Sequence, residues 1–277
     1  METKTALLID PGHQINVELS YVLQPPEWSI HEAPDNAAAL KLVQALKFDF
    51  ILTSEMSSGR DDVELLRKMR RFRSHTPVII LTDDTTPADV VDAIREGAFS
   101  YFSQPISFPA LAEMVKSAIE EPSWDDGLEV LSGTSEWLRL AARCDIKTAD
   151  RLVQFVHVMM DIPDSERDIV AAALRELLLN AIEYGGKFDP RQYVEMSYLR
   201  TQRAVACRVK DPGEGFSFDE ISHAAVMNPP HDPLRHLGFR EVQNLRPGGF
   251  GVLLARNSVD ELIYNEQGND VLLIKYV

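Results

Sequence analysis

An α/β fold is predicted for both halves of the chain, on three observations. The length of 277 residues corresponds to about two domains of ordinary size. Between Thr5 and Glu120, short apolar runs alternate with helix-period segments, the pattern of a doubly wound, five-stranded parallel sheet. Beyond Gly127 the strands come in pairs separated by amphipathic helices, so a second α/β unit of different construction follows.

In the first half the predicted strands are Ala6–Ile9, Ser29–Glu32, Phe48–Thr53, Val78–Thr82 and Ser100–Phe102. Helical periodicity places helices near Ile15–Leu23, Asn36–Ala45, Asp61–Phe72, Pro87–Glu96 and Ser107–Ile119. In a doubly wound sheet the functional edge lies at the carboxyl ends of the strands, which directs attention to the loops after Ile9, Thr53, Thr82 and Phe102. The acidic stretch Glu120–Gly127, with Pro122 and no periodicity, reads as a linker; the predicted domains are 1–121 and 128–277, joined by 122–127.

The second half begins with strands Leu128–Leu131 and Glu136–Cys144 and a helix over Thr148–Met160. The longest predicted helix, Ser165–Tyr184, opens on a capping box of Ser165 with Asp168. Strands Tyr193–Arg200 and Ala204–Lys210, a helix over Val252–Val259, and strands Glu261–Tyr264 and Val271–Tyr276 complete it. The stretch Asn228–Arg246, interrupted by Pro229, Pro230, Pro233 and Gly238, reads as a lid.

Composition narrows the function classes. Basic residues number 28 against 43 acidic, a formal charge of −15, and both halves share the excess: 11 against 19 up to Glu121, 17 against 24 beyond. Such a field repels polyanions, so neither direct nucleic-acid binding nor an anionic membrane surface is expected, and the basic cluster Arg67, Lys68, Arg70, Arg71 and Arg73 reads as a solvated helix end. Two cysteines, Cys144 and Cys207, both in apolar stretches, supply no disulfide framework or thiolate metal site. The short apolar run after Met1–Lys4 is too short for a signal peptide or a membrane span, and a cytoplasmic location is expected.

Three segments of the second half carry chemistry. Glu176 and Asn180, spaced i and i+4, project from one helix face a turn apart, where a carboxylate and an amide oxygen can serve Mg²⁺ and a hydroxyl together. Asp211-Pro212-Gly213-Glu214-Gly215 follows a strand and offers an acceptor beside backbone that a ligand can approach. Pro247-Gly248-Gly249-Phe250-Gly251 opens a helix, pointing N–H groups and the positive dipole end toward phosphate oxygens. The histidines form no set: His157 lies in an apolar helix, and His223, His231 and His236 fall around the lid without a fixed tetrahedral spacing.

Phe48-Asp49-Phe50-Ile51-Leu52, Pro77–Thr82 and Gly97–Pro105 resemble the receiver domain of bacterial response regulators, the CheY-like fold. In that family an Asp ending the third strand accepts phosphate, an acidic pair holds Mg²⁺ and a Lys before a Pro neutralises the phosphoryl group. Here those positions are Ser54, a single Asp10 beside Pro11, and Gln104, whereas the coupling positions Thr82 and Tyr101 match. One carboxylate cannot hold a cation that wants several oxygen ligands, so aspartyl phosphorylation is not expected. Glu55 could mimic a phosphoaspartate but falls on the opposite strand face from Ser54. The resemblance therefore implies a pseudo-receiver: a docking, dimerisation or regulatory platform.

Taken together, Glu176–Gly185, Asp211–Gly215, and Gly249-Phe250-Gly251 followed by Asp260-Glu261-Leu262 resemble the GHKL ATPases, whose Bergerat fold is a two-layer α/β sandwich. Within that superfamily the segments are most similar to anti-sigma factor serine kinases, though Tyr184 stands where those often have His. The resemblance implies ATP and Mg²⁺ as cofactors, Asn180 as the metal ligand, Glu176 as the general base and Asp211 as the adenine-reading acid. Gly213, Gly215, Gly249 and Gly251 would be nucleotide-loop positions. It further implies γ-phosphoryl transfer to a Ser or Thr of a STAS-type antagonist, a sigma factor as a possible client, and a homodimer. The same residues also fit an ATP-binding scaffold without chemistry, or a histidine-kinase component acting on a separate protein.

Overall fold

The computed structural model describes residues 3–10, 14–53, 56–72, 75–120, 127–216, 228–229, 231–242 and 250–277. Pro11, Ser54, Glu55, Arg73, linker residues Glu121–Asp126, His223, Pro230, Pro247, Gly248 and Gly249 lie outside the described residues. The chain forms two compact units, Met1–Glu129 and Val130–Val277.

The first unit alternates β1 (Lys4–Ile9), α1 (Gln14–Leu19), β2 (Trp28–Ala33), α2 (Asn36–Ala45), β3 (Phe50–Leu52), α3 (Gly59–Arg70), β4 (Val78–Thr82), α4 (Pro87–Arg95), β5 (Ser100–Ser103) and α5 (Phe108–Ile119). Its five strands run parallel in the order β2-β1-β3-β4-β5. The residues of β3 and β4 are all buried, as the continuous apolar runs of a sheet covered on both faces require. The order reverses between β1 and β3, leaving a crevice at their carboxyl ends. The predicted α1 stops short, at Leu19; the chain then turns, but Leu19 and Leu23 are buried all the same.

The second unit comprises β6 (Leu128–Gly133), β7 (Trp137–Arg143), α6 (Ile146–Met159), α7 (Asp164–Asn180), a π-turn over Ala181–Gly185, β8 (Tyr193–Arg200), β9 (Ala204–Lys210), α8 (Arg235–Val242), α9 (Gly251–Ser258), β10 (Glu261–Tyr264) and β11 (Asp270–Tyr276). Its six-stranded sheet has the order β10-β11-β9-β8-β7-β6, with antiparallel pairing from β7 through β10. Alternate residues Leu138, Leu140 and Ala142 of β7 and Val194, Met196 and Tyr198 of β8 are buried on one face. Helices α6 and α7 pack against that face, and the Tyr198 hydroxyl donates to the Met159 carbonyl at 2.9 Å. The result is the predicted two-layer sandwich.

Two expectations for the long helix are corrected. The capping box does not form: Pro163 precedes the first helical residue, Asp164, and no side chain caps the end. Asp168 instead meets His157 Nε2 of α6 at 2.8 Å, so a tertiary contact takes the carboxylate that a local cap would have used. The α-geometry also ends at Asn180 rather than Tyr184, because the chain widens into the π-turn. In the segment predicted as a lid, the described part contains α8, with the fully buried His236 donating its backbone N–H to Asn228 Oδ1 at 3.0 Å.

Candidate functional site

Helix α7 buries Val170, Leu174, Leu177 and Leu178 and leaves Glu176 and Asn180 half-buried on its flank. Helix α9, which begins at Gly251, packs along it. A β-carbon at Gly251 would lie 2.5 Å from Glu176 Oε2 and 3.5 Å from Asn180 Nδ2. Three predicted site residues, 75 positions apart at the extremes, thus meet at one point, and the absence of a side chain at 251 is what permits the approach.

The second corner is built on Asp211, which follows β9. Its Oδ1 accepts from the Gly213 N–H at 2.8 Å, and its own N–H donates to the Asn269 carbonyl at 2.9 Å. Burial raises its pKa above the ordinary aspartate value; the Gly213 N–H opposes the rise, and the nearby Asp270 charge adds to it. Gly215 adopts φ +82°, and a side chain there would strike the Gln267 backbone. The Phe216 ring meets Tyr264 edge-on at 5.4 Å, and burial pushes the Tyr264 phenol up to about 12.

A cleft of about 860 Å³ joins the two corners, and Glu176, Asn180, Asp211, Gly213, Gly215 and Gly251 all line it. Of the predicted site residues, only Gly249 lies outside the described residues. Residues not singled out from sequence also line the cleft: Lys187, Phe216, Tyr264 and Asn269. Asn265-Glu266-Gln267-Gly268-Asn269 carries an Asn/Gly turn signal between two strands, which marks a hairpin but gives no sign that its side chains reach Gly213. Lys187 and Phe188 have φ of 52° and 53°, left-handed values that cost a residue with a β-carbon.

Among the described residues no group of three or more His, Cys, Asp or Glu side chains could hold a metal ion. The pair Glu176 and Asn180 suits Mg²⁺, which binds through one or two protein oxygens, substrate phosphates and water.

At the carboxyl edge of the first sheet, Asp10 is buried and its Oδ2 accepts from the Asn16 N–H at 3.0 Å. The Thr82 hydroxyl contacts the Ser57 carbonyl at 2.5 Å and the Asp84 carbonyl at 2.9 Å, and the buried Tyr101 hydroxyl pairs with Thr85 Oγ1 at 2.7 Å. Sequence reasoning missed Asp62, which is fully buried on α3 and accepts from Ser57 Oγ (2.7 Å), Asn36 Nδ2 (2.9 Å) and Thr53 Oγ1 (3.2 Å). Burial pushes its pKa up to about 6.

Residues 140–275 match the model of the histidine kinase-like ATPase domain, and residues 6–116 that of the response regulator receiver domain. The chain is a receiver domain followed by a histidine kinase-like ATPase domain. The transcriptional regulatory protein GlrR of Escherichia coli is 26% identical over 122 residues, 43% of this chain and 28% of its own. For the transcriptional regulatory protein FixJ of Bradyrhizobium diazoefficiens the identity is 25% over 114 residues, 41% of this chain and 56% of that protein. The chain therefore spans only 28% and 56% of those two regulators. Chemotaxis protein CheY of Pseudomonas aeruginosa is 28% identical over 91 residues, 32% of this chain and 73% of its own. The solved signal receiver domain of an HD domain-containing protein from Pseudomonas fluorescens is 26% identical, covering 44% of this chain and 90% of that one at a TM-score of 0.38.

The ATPase domain implies ATP binding, and the cleft between Asp211 and Gly251 is where its residues converge. It stands in one chain with a receiver domain, a pairing that suggests a part in signalling. No helix among the described residues is long and apolar enough to cross a membrane.

Proposed function

We propose that the ATPase domain is a Mg²⁺-dependent protein serine/threonine kinase of the anti-sigma factor type, regulated by a receiver domain that does not itself accept phosphate. The observation that carries this reading is the juxtaposition of Glu176 Oε2 and Asn180 with Gly251. A carboxylate and an amide at the glycine-marked start of α9 lie where the phosphate end of a nucleotide extending from Asp211 would arrive. Bound Mg²⁺ would be held through Asn180 and would neutralise phosphate charge.

In the proposed reaction Glu176 takes the proton of a partner's Ser or Thr hydroxyl as its oxygen bonds to the γ-phosphorus. The bond from that phosphorus to the bridging β–γ oxygen breaks, and ADP leaves. Asp211 accepts from the adenine 6-amino group at the far end of the cleft. The substrate class is a STAS-type antagonist, with a sigma factor as client and a homodimeric, cytoplasmic protein as the working form; the acidic surface of both halves favours protein partners over nucleic acid.

Incubation of the full chain with labelled ATP, Mg²⁺ and STAS proteins tests this. Acid-stable label on Ser or Thr, lost in Glu176→Ala while nucleotide binding persists, is the expected result. Acid-labile label would assign a histidine kinase component instead, and binding without transfer a nucleotide-gated scaffold.

A further inference from the structure

Asn269 is one of the few buried polar residues among the described residues of the ATPase domain, and its N–H, carbonyl, Oδ1 and Nδ2 all have partners. Its carbonyl accepts from the Asp211 N–H at 2.9 Å, and its Nδ2 donates to the Gly213 carbonyl at 3.1 Å. One residue thereby grips the turn at both ends, positions 211 and 213. On its other side, Asn265 Nδ2 donates to Asn269 Oδ1 at 2.9 Å, and Asn265 Oδ1 accepts from the Asn269 N–H at 3.1 Å. Asn265 Oδ1 also accepts from the N–H of Gly268 at 2.8 Å. Gly268 has φ +79° and is packed against Phe216, so the hairpin is tied to the loop's far end as well.

The Asp211 carboxylate has Oδ1 committed to the Gly213 N–H within this turn, which leaves Oδ2 to accept from a ligand. Where that oxygen stands depends on the turn, and the turn is fastened to the β10–β11 hairpin through Asn269. We infer that Asn269 is a positioning residue that sets the base selectivity of the cleft, holding Asp211 in register for a 6-aminopurine against a 6-oxopurine. This rests on the adenine-nucleotide reading of the cleft. A 6-amino group donates to a carboxylate, whereas a 6-oxo group meets it acceptor to acceptor, so the discrimination fades when the carboxylate can swing away.

The test is titration of the full chain with ATP and with ITP, which differ at position 6 of the base. Wild type is expected to prefer ATP. Asn269→Ala, which leaves the Gly213 carbonyl without its partner, is expected to lose about tenfold in ATP affinity and much less for ITP, collapsing the ratio. Asn269→Thr, which keeps a side-chain donor, is expected to restore part of it. Asn265→Ala, which removes the support without touching the loop, is expected to act in the same direction more weakly and serves if Asn269→Ala does not fold. Equal losses for both nucleotides, or an unchanged ratio in the folded variants, would overturn the role of Asn269 alone. A wild-type protein that binds neither nucleotide would overturn the cleft reading and this inference with it.

Discussion

Gly185 lies flush against Asp211: a β-carbon at position 185 would overlap the carboxylate and come within 2.5 Å of the aspartate's own β-carbon. Gly185 ends the π-turn that follows the helix bearing Glu176 and Asn180, so this contact connects the two corners of the cleft. Since the root of the Asp211 side chain is involved as well as its tip, no rotamer change relieves the overlap. Gly185→Ala is therefore expected to lower ATP affinity by at least about tenfold while the protein remains folded, as overpacking costs about 1–3 kcal/mol. Calorimetric titration alongside circular dichroism checks it, and unchanged affinity would detach Asp211 from the nucleotide.

At Gly251 the corresponding clash falls on Glu176 Oε2, the far end of a flexible side chain. Gly251→Ala is expected to leave the melting temperature nearly unchanged and ADP affinity within a few-fold, while phosphoryl transfer drops about tenfold to a hundredfold through a displaced base. Single-turnover transfer measured beside ADP binding separates the two effects.

Asp62 gives a pH dependence of known sign. Its folded pKa of about 6 lies above the 3.8 of an ordinary aspartate. Its contribution is thus fully present below about pH 4 and is lost as the pH rises through 6, where the native state must hold a buried anion with neutral partners. The two-unit difference corresponds to about 3 kcal/mol. Asp62→Asn is expected to raise the unfolding midpoint relative to wild type at pH 7.5 and to lose that advantage at pH 4. Thermal scans at the two pH values check the crossing, and a difference independent of pH would mean that Asp62 does not titrate in this range.

The left-handed pair Lys187 and Phe188, both exposed, invites substitution in the stabilising direction. Lys187→Gly and Phe188→Gly each relieve the β-carbon penalty and are expected to gain up to about 1 kcal/mol, less the entropy glycine adds to the unfolded chain. Urea midpoints measure it. A loss of stability in both would show that contacts of these side chains outweigh the backbone cost.

The first sheet was legible because a buried parallel strand is written locally, as in Val78-Ile79-Ile80-Leu81. Glu176 and Asn180 were legible for a similar reason, since one helix turn fixes their common face. Asp62 was not: beside Asp61 in the first turn of α3 it reads as an exposed, dipole-compensating acid, and only the packing of α2 and β3 buries it. The capping box does not form because the helix begins at Asp164, which places Ser165 inside the first turn, and Asp168 meets His157 of another helix instead. Asn269 escaped notice because its partners Asp211 and Gly213 lie more than fifty positions earlier and meet it only through sheet register.

That register pairs Lys210 with Asp270, so strands β9 and β11 hold the Asp211 turn and the β10–β11 hairpin as neighbours although 59 positions of sequence separate the paired residues. The two strands act as a splint for that corner of the cleft. A slip of one residue in that register would therefore part Asp211 from Asn269 even with every side chain of the cleft unchanged.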